Sequence, residues 1–224
     1  MTLTFPRALP SAGVIDETFE VQRVDYQSPE AGGRMGGVTA GEDLWSASWV
    51  LPRTGQARAD EWRAWVSAQR GAQRMFFGRE THRPYPLAYQ DTAMAGLVRA
   101  GGGAFDGSAT SWSVDGTRAV LTLNGLPVAF ALTWGDYVGF RWTTSGQERR
   151  DLARCVEPAL ASAGGQIVVS VEKAVWAGVP AGAVAYLNKP DCLMKLVASE
   201  TKLGNKTRSV ALQGQISALQ QLLP

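Results

Sequence analysis

The chain has 224 residues, a formal net charge of +2, 45% hydrophobic and 19% charged residues, so it can bury one sizeable core or two small ones. These proportions exclude global disorder, and the interspersed charges form no concentrated basic face of the kind that displaces counterions from nucleic acid. The longest apolar-leaning run, 126–134, contains a proline and is under half of the roughly 20 residues a membrane helix needs, so no membrane insertion is expected.

In chain order, residues 19–26 are β-prone, and Asp25-Tyr26-Gln27-Ser28-Pro29 is expected to close that strand. Residues 30–42 carry Gly32, Gly33, Gly36, Gly37 and Gly41, which predicts a mobile loop or the tip of a long hairpin. Such a segment is either an interaction arm that orders on assembly or a plain flexible loop. Residues 45–51 then alternate, placing Trp45, Ala47, Trp49 and Leu51 on one face of a strand. Pro52 and Gly55 break the run. A helix is predicted over 56–70, with Trp62, Trp65, Val66 and Gln69 at three- and four-residue spacings and a stop at Gly71. Asp60 and Glu61, in its first turns, suit the positive end of the helix dipole. An apolar strand around Met75-Phe76-Phe77 leads to a proline-punctuated exit, Arg83-Pro84-Tyr85-Pro86.

Composition changes at Ala100-Gly101-Gly102-Gly103. Beyond it, short strands are predicted at 119–123, 137–142, 151–156 and 167–171, separated by glycine turns, a spacing that suits a small β-barrel or sandwich. Residues 178–190 punctuate its end. Further strands are expected at 192–198 and 207–212, and 216–223 reads as a short helix or a strand. Neither terminal section holds enough strands for its own core. If the two complete one sheet system, the chain divides into 1–95 and 179–224 around an inserted domain, 96–178.

Little chemistry is visible. His82 is the sole histidine, so a catalytic triad must run through it, yet no acid lies close in sequence; a solvated loop histidine is the competing reading. Cys155 and Cys192 lie far apart among apolar neighbours and are expected reduced and buried, without metal-like spacing. The triple glycine lacks the Lys-Ser/Thr of a phosphate loop, and Asp106 and Asp115 lack a calcium-loop pattern. No cofactor and no metal are therefore expected. The first residues lack a signal-peptide pattern, and a soluble, cytoplasmically made protein is expected. Trp112, Trp134, Trp142 and Trp176 cluster in the middle section, as buried barrel core or, where exposed, as sugar-stacking platforms; Trp112 and Trp142 are the candidates for stacking.

The order of elements resembles the distal tail proteins of long-tailed bacteriophages and related prophage elements. The resemblance rests on the strand at 45–51 leading to the helix, Gln69-Arg70-Gly71 before Met75-Phe76-Phe77, and the Pro84-Tyr85-Pro86 exit. Leu132-Thr133-Trp134-Gly135-Asp136-Tyr137-Val138, Gly164-Gly165-Gln166-Ile167-Val168-Val169 and Asn188-Lys189-Pro190-Asp191-Cys192-Leu193-Met194 extend it over nearly the whole chain. It implies a mainly β protein: a split β-sandwich belt domain with one α-helix and an extended hairpin, carrying an inserted OB-like barrel or galectin-like domain. It further implies a non-enzymatic virion protein, assembled in the host cytoplasm, whose six copies close into a ring at the tail tip or baseplate. DNA would pass through that ring only as cargo. Implied partners are other copies of the chain, the tail tube protein and tail hub or tip proteins, with a host-surface glycan as a further one. Arg34, Met35 and Trp45 are the candidate subunit-interface residues. The alternative reading is a carbohydrate-binding module or adhesin-like domain.

Overall fold

The computed structural model describes residues 3–11, 13–30, 32–205, 207, 210–211 and 213–223. The first part of the chain forms β1 (Arg7–Ala8), β2 (Asp16–Gln22), β3 (Asp25–Glu30), β4 (Arg34–Thr39), β5 (Leu44–Leu51) and β6 (Thr54–Gly55). Helix α1 (Gln56–Gln69) and β7 (Phe76–Gly78) follow. The middle contributes β8 (Ser111–Val114), β9 (Val120–Asn124), β10 (Ala131–Leu132), β11 (Tyr137–Thr144), β12 (Gln147–Cys155), β13 (Ala159–Leu160), β14 (Ile167–Glu172) and β15 (Val184–Tyr186). The chain closes with β16 (Cys192–Leu196), β17 (Val210–Ala211) and β18 (Gly214–Gln220). The protein is mainly β, with one α-helix among the described residues.

The first sheet has the order β1-β7-β16-β18-β5-β2, so strands from both chain ends interleave. The reason lies in β5, whose alternate side chains Trp45, Ala47, Trp49 and Leu51 are all buried. A strand carrying two tryptophans needs neighbours on both edges. It pairs with β2 through Phe19↔Ala47 and Val21↔Trp45, and with β18 through Ile216↔Trp49 and Ala218↔Ala47. Helix α1 covers this sheet with Ala59, Trp62, Trp65 and Gln69. Trp65 meets Phe76 edge-on at 4.8 Å and donates its indole N–H to Ala8 O at 2.8 Å, fastening the N-terminal segment. The helix ends one residue earlier than Gly71: Arg70 already has left-handed dihedrals (φ 52°, ψ 50°) and bonds back to Ser67 O. Asp60 and Glu61 lie beyond the first turn, where the dipole has faded, so the electrostatic rationale for them does not hold.

The second sheet, β15-β11-β12-β14-β9-β8, curls back on itself. Ala109 N bonds to Ala185 O at 2.9 Å, a bridge joins Ser108 to Tyr186, and Trp112 Nε1 donates to Ala183 O, which brings the β8 end against β15. This closure is the barrel form of the two shapes expected for the middle section. Leu121, Leu123, Val138, Phe140, Ile167 and Val169 fill it. The barrel extends beyond 96–178 at both ends. β15 is hydrogen-bonded to β11, Tyr89 stacks on Phe130 at 4.5 Å, and Met94 is buried in the same core.

Two other expectations are revised and one open reading is resolved. The β-prone stretch at 19–26 is two strands, because β3 belongs to a hairpin rather than to a closing turn. Of the two readings left open for 216–223, the strand is found over 216–220 as part of β18, which pairs with β5. Of the strand expected at 207–212, Val210 and Ala211 pair with Gly55 and Thr54, while 208, 209 and 212 lie outside the described residues.

Candidate functional site

The glycine-rich segment belongs to a two-stranded ribbon. β3 and β4 pair from Asp25↔Thr39 to Glu30↔Arg34 and hydrogen-bond to no other strand. Gly32 and Gly33 adopt positive φ of 98° and 77° near its tip, conformations that a side chain disfavours. Every residue from 23 to 42 whose burial is described is exposed, except Gly36. The cross-strand partners Tyr26 and Val38 occupy one face and are 67% and 70% exposed. Met35, 69% exposed, faces Pro29 on the other side, beside Arg34 near the tip. The ribbon therefore offers apolar side chains to solvent on both faces, and an isolated two-stranded ribbon of this kind is only marginally stable in water.

Trp45 belongs elsewhere. It is fully buried, stacks on Phe19 at 5.2 Å, contacts Tyr137 at 5.6 Å and donates its indole N–H to Leu152 O at 2.7 Å. A side chain so enclosed cannot touch a neighbouring subunit, and Trp45 is withdrawn as an interface residue. It instead joins the first core to Tyr137 and Leu152 of the barrel strands. Trp112 is partly buried: its ring packs on Phe140 and its indole N–H is committed to Ala183 O. Trp142 is half-buried, 6.4 Å from Trp176, and lines an open cleft. Trp134, which sequence reading could not separate from the barrel core, is 66% exposed just beyond β10, and Leu160, on the paired strand β13, is exposed with it.

A buried polar network locks the two cores together. Lys173 Nζ lies 2.5 Å from Asp151 Oδ1, and Gln220 donates to the same oxygen at 2.7 Å. Gln220 Oε1 in turn accepts from Trp45 N at 3.1 Å, and Asp151 Oδ2 accepts from Trp176 N. Asp136, also buried, receives Arg83, Leu87 N and Thr133 N, which ties the 83–90 connection to the barrel. This network was invisible in the sequence, because its members lie up to 175 positions apart.

His82 is exposed, and the structure supplies the acid that its sequence neighbours lack: Glu17 Oε1 on β2, 3.2 Å from Nδ1. Glu17 also accepts from Thr81 N, Thr81 Oγ1 and His82 N. Nearby, a cleft of about 320 Å³ gathers Glu17, Glu20, Glu80, Arg83, Tyr137 and Arg154. Its polar groups bind one another, Glu20 pairing with Arg154 at 2.7 Å. Cys155 and Cys192 are free and buried, and burial pushes both thiols up, away from the reactive thiolate. Among the described residues no group of His, Cys, Asp and Glu is arranged to hold a metal ion.

Burial raises the Glu80 carboxyl above its ordinary value of 4.5; a Tyr137 hydrogen bond opposes this and the Glu17 charge adds to it. The folded chain thus binds more protons than the unfolded one between 4.5 and the raised value. The contribution of Glu80 to stability falls as pH rises through that window and is constant beyond it. Glu80→Gln is expected to abolish this fall and to be more stable than the parent at neutral pH in urea titrations. A variant that keeps the parent's pH profile would contradict the assignment.

No family model matches the chain, and no curated protein matches it.

Proposed function

We propose that this protein is a structural, non-enzymatic subunit of a bacteriophage tail, six copies of which close into a ring joining the tail tube to the tip or baseplate around the DNA channel. The observation that carries the reading is the β3–β4 ribbon, which holds Tyr26, Met35 and Val38 in solvent on a body whose two cores are pinned together by buried polar bonds. A closed heterologous ring needs two different complementary patches on each subunit. The ribbon is one; the exposed Trp134 and Leu160 beside the barrel offer the second. Arg34 at the ribbon tip adds a charged contact to the apolar ones. The order of elements that resembles distal tail proteins supplies the virus, the tube and hub partners, and the six-fold number. The acidic cleft at Glu17 supports the non-enzymatic reading, because its carboxylate is committed to Thr81 and His82.

The test keeps the ribbon and changes only its surface. Tyr26→Ser, Met35→Ser and Val38→Ser together replace exposed side chains, so stability should shift by about 0.5 kcal/mol or less per site. Mass photometry over a concentration series, with negative-stain imaging, is expected to show six-fold rings for the parent and monomers for the triple variant. Rings that persist in the variant would remove the ribbon from the interface. Normal tail incorporation of the variant would refute the assembly role.

A further inference from the structure

Strand β11 is flanked by β12 along its whole length, from Tyr137↔Arg154 to Thr144↔Gln147. On the opposite side, β15 covers only Gly139, Phe140 and Arg141. The edge from Trp142 to Thr144 therefore has no partner strand among the described residues. A cleft of about 650 Å³ runs along it, lined by Arg141, Trp142, Thr143, Glu148, Pro180 and Val184. Successive side chains of a strand point to opposite faces, so a space that touches Arg141, Trp142 and Thr143 together must lie at the strand's edge. A molecule held there meets an indole on one flank, a guanidinium and a hydroxyl on the other, and backbone amide and carbonyl groups between them.

The polar groups are positioned in advance. The Arg141 guanidinium lies 5.5 Å from the centre of the Tyr186 ring, whose hydroxyl is fixed on Asp191 Oδ1 at 2.9 Å. Glu148 Oε1 accepts from Arg150 Nε at 3.0 Å and Nη2 at 2.8 Å, and Arg150 is itself anchored on Asp191. The indole N–H groups of Trp45, Trp49, Trp65 and Trp112 end on backbone carbonyls, whereas that of Trp142, like those of Trp62, Trp134 and Trp176, donates to no described group.

We propose that the open edge of β11 is a binding site for a neutral oligosaccharide, with one pyranose ring against Trp142 and its hydroxyls bonded by Arg141, Thr143 and Glu148. The size suits two or three sugar rings, within the roughly 300–1,000 Å³ typical of ligand sites. One cation and one carboxylate leave the cleft without a dominant charge, which disfavours an ionic ligand and matches a ligand rich in donors and acceptors. An added peptide strand fits less well. The free edge is three residues before the turn, against the about 5–6 of a usual paired strand. The site is complete within one chain and does not depend on ring formation.

The experiment is fluorine NMR of full-length protein labelled with fluorotryptophan, titrated separately with maltotriose, cellotriose and chitotriose. Trp142→Phe identifies the Trp142 signal by its loss. One trisaccharide is expected to move that signal saturably while the Trp134 and Trp45 signals stay in place. Thr143→Val, at an exposed position, and Glu148→Gln should each weaken the response about tenfold with circular dichroism unchanged. The proposal is overturned if none of the three sugars moves the Trp142 signal at tens of millimolar. It is equally overturned if Trp134 responds instead, or if a threonine-rich extended peptide shifts Trp142 and no sugar does.

Discussion

Asp151→Asn is expected to destabilise the protein by about 3–5 kcal/mol, because it leaves the Lys173 ammonium buried without its counter-charge. Lys173 is 2% exposed and Asp151 is fully buried, so water cannot take over the role of the lost carboxylate. The acceptors left to the ammonium, the new amide oxygen and Gln220 Oε1 at 3.2 Å, are both neutral, and the latter already accepts from Trp45 N. At roughly 2–4 °C per kcal/mol for a chain of this length, the melting temperature should drop by about 6–20 °C. Removing both charges tests the cause. Asp151→Asn combined with Lys173→Met eliminates the isolated ion and leaves one amide oxygen to accept from either Gln220 Nε2 or Trp176 N. The double variant should therefore recover most of the loss, a coupling of the two sites that urea titrations of the four proteins measure directly. Additive losses would mean that the pair contributes nothing as a pair.

Trp45→Ala is expected to cost a similar amount, about 3–5 kcal/mol, from the cavity left by a fully buried indole. Trp45→Phe retains an aromatic ring against Phe19 and Tyr137 but orphans Leu152 O, at about 1–3 kcal/mol. The location of the damage matters more than its size. Trp45 lies on β5 of the first sheet, yet Tyr137 and Leu152 belong to barrel strands. Hydrogen exchange of Trp45→Ala should show lost protection in β5 and in the β11–β12 hairpin together. Loss confined to the first sheet would show that the two cores open independently.

These two residues mark the limit of what sequence patterns reveal. Trp45 stood out as part of an alternating run, and the alternation placed it on the buried face of β5 correctly. Its expected place at a subunit interface does not hold, because the ring is fully enclosed by Phe19, Tyr137 and Leu152. No local pattern marks Lys173. A single lysine after a strand is ordinarily a solvated side chain, and only the folded sheets bring Asp151 and Gln220 to it. Arg34 and Met35 lie on an exposed ribbon, legible because five glycines between 30 and 42 cannot pack a core. Trp112 and Trp142 are both partly buried and differ in their surroundings: the Trp112 indole N–H donates to Ala183 O, whereas Trp142 lines the open cleft.

By itself, the sequence determined the mainly β character, the helix after Gly55, the burial of the β5 tryptophans and the reduced state of both cysteines. Each follows from local periodicity, turn chemistry or composition, which act over a few residues. Tertiary structure alone decided that β15 joins the barrel, that 214–219 pairs with β5, that Glu17 meets His82 and that the two cores share a buried ion pair. Those outcomes depend on which distant edges and charges meet, and the need to satisfy buried polar groups and pair open strands is resolved over the whole chain at once.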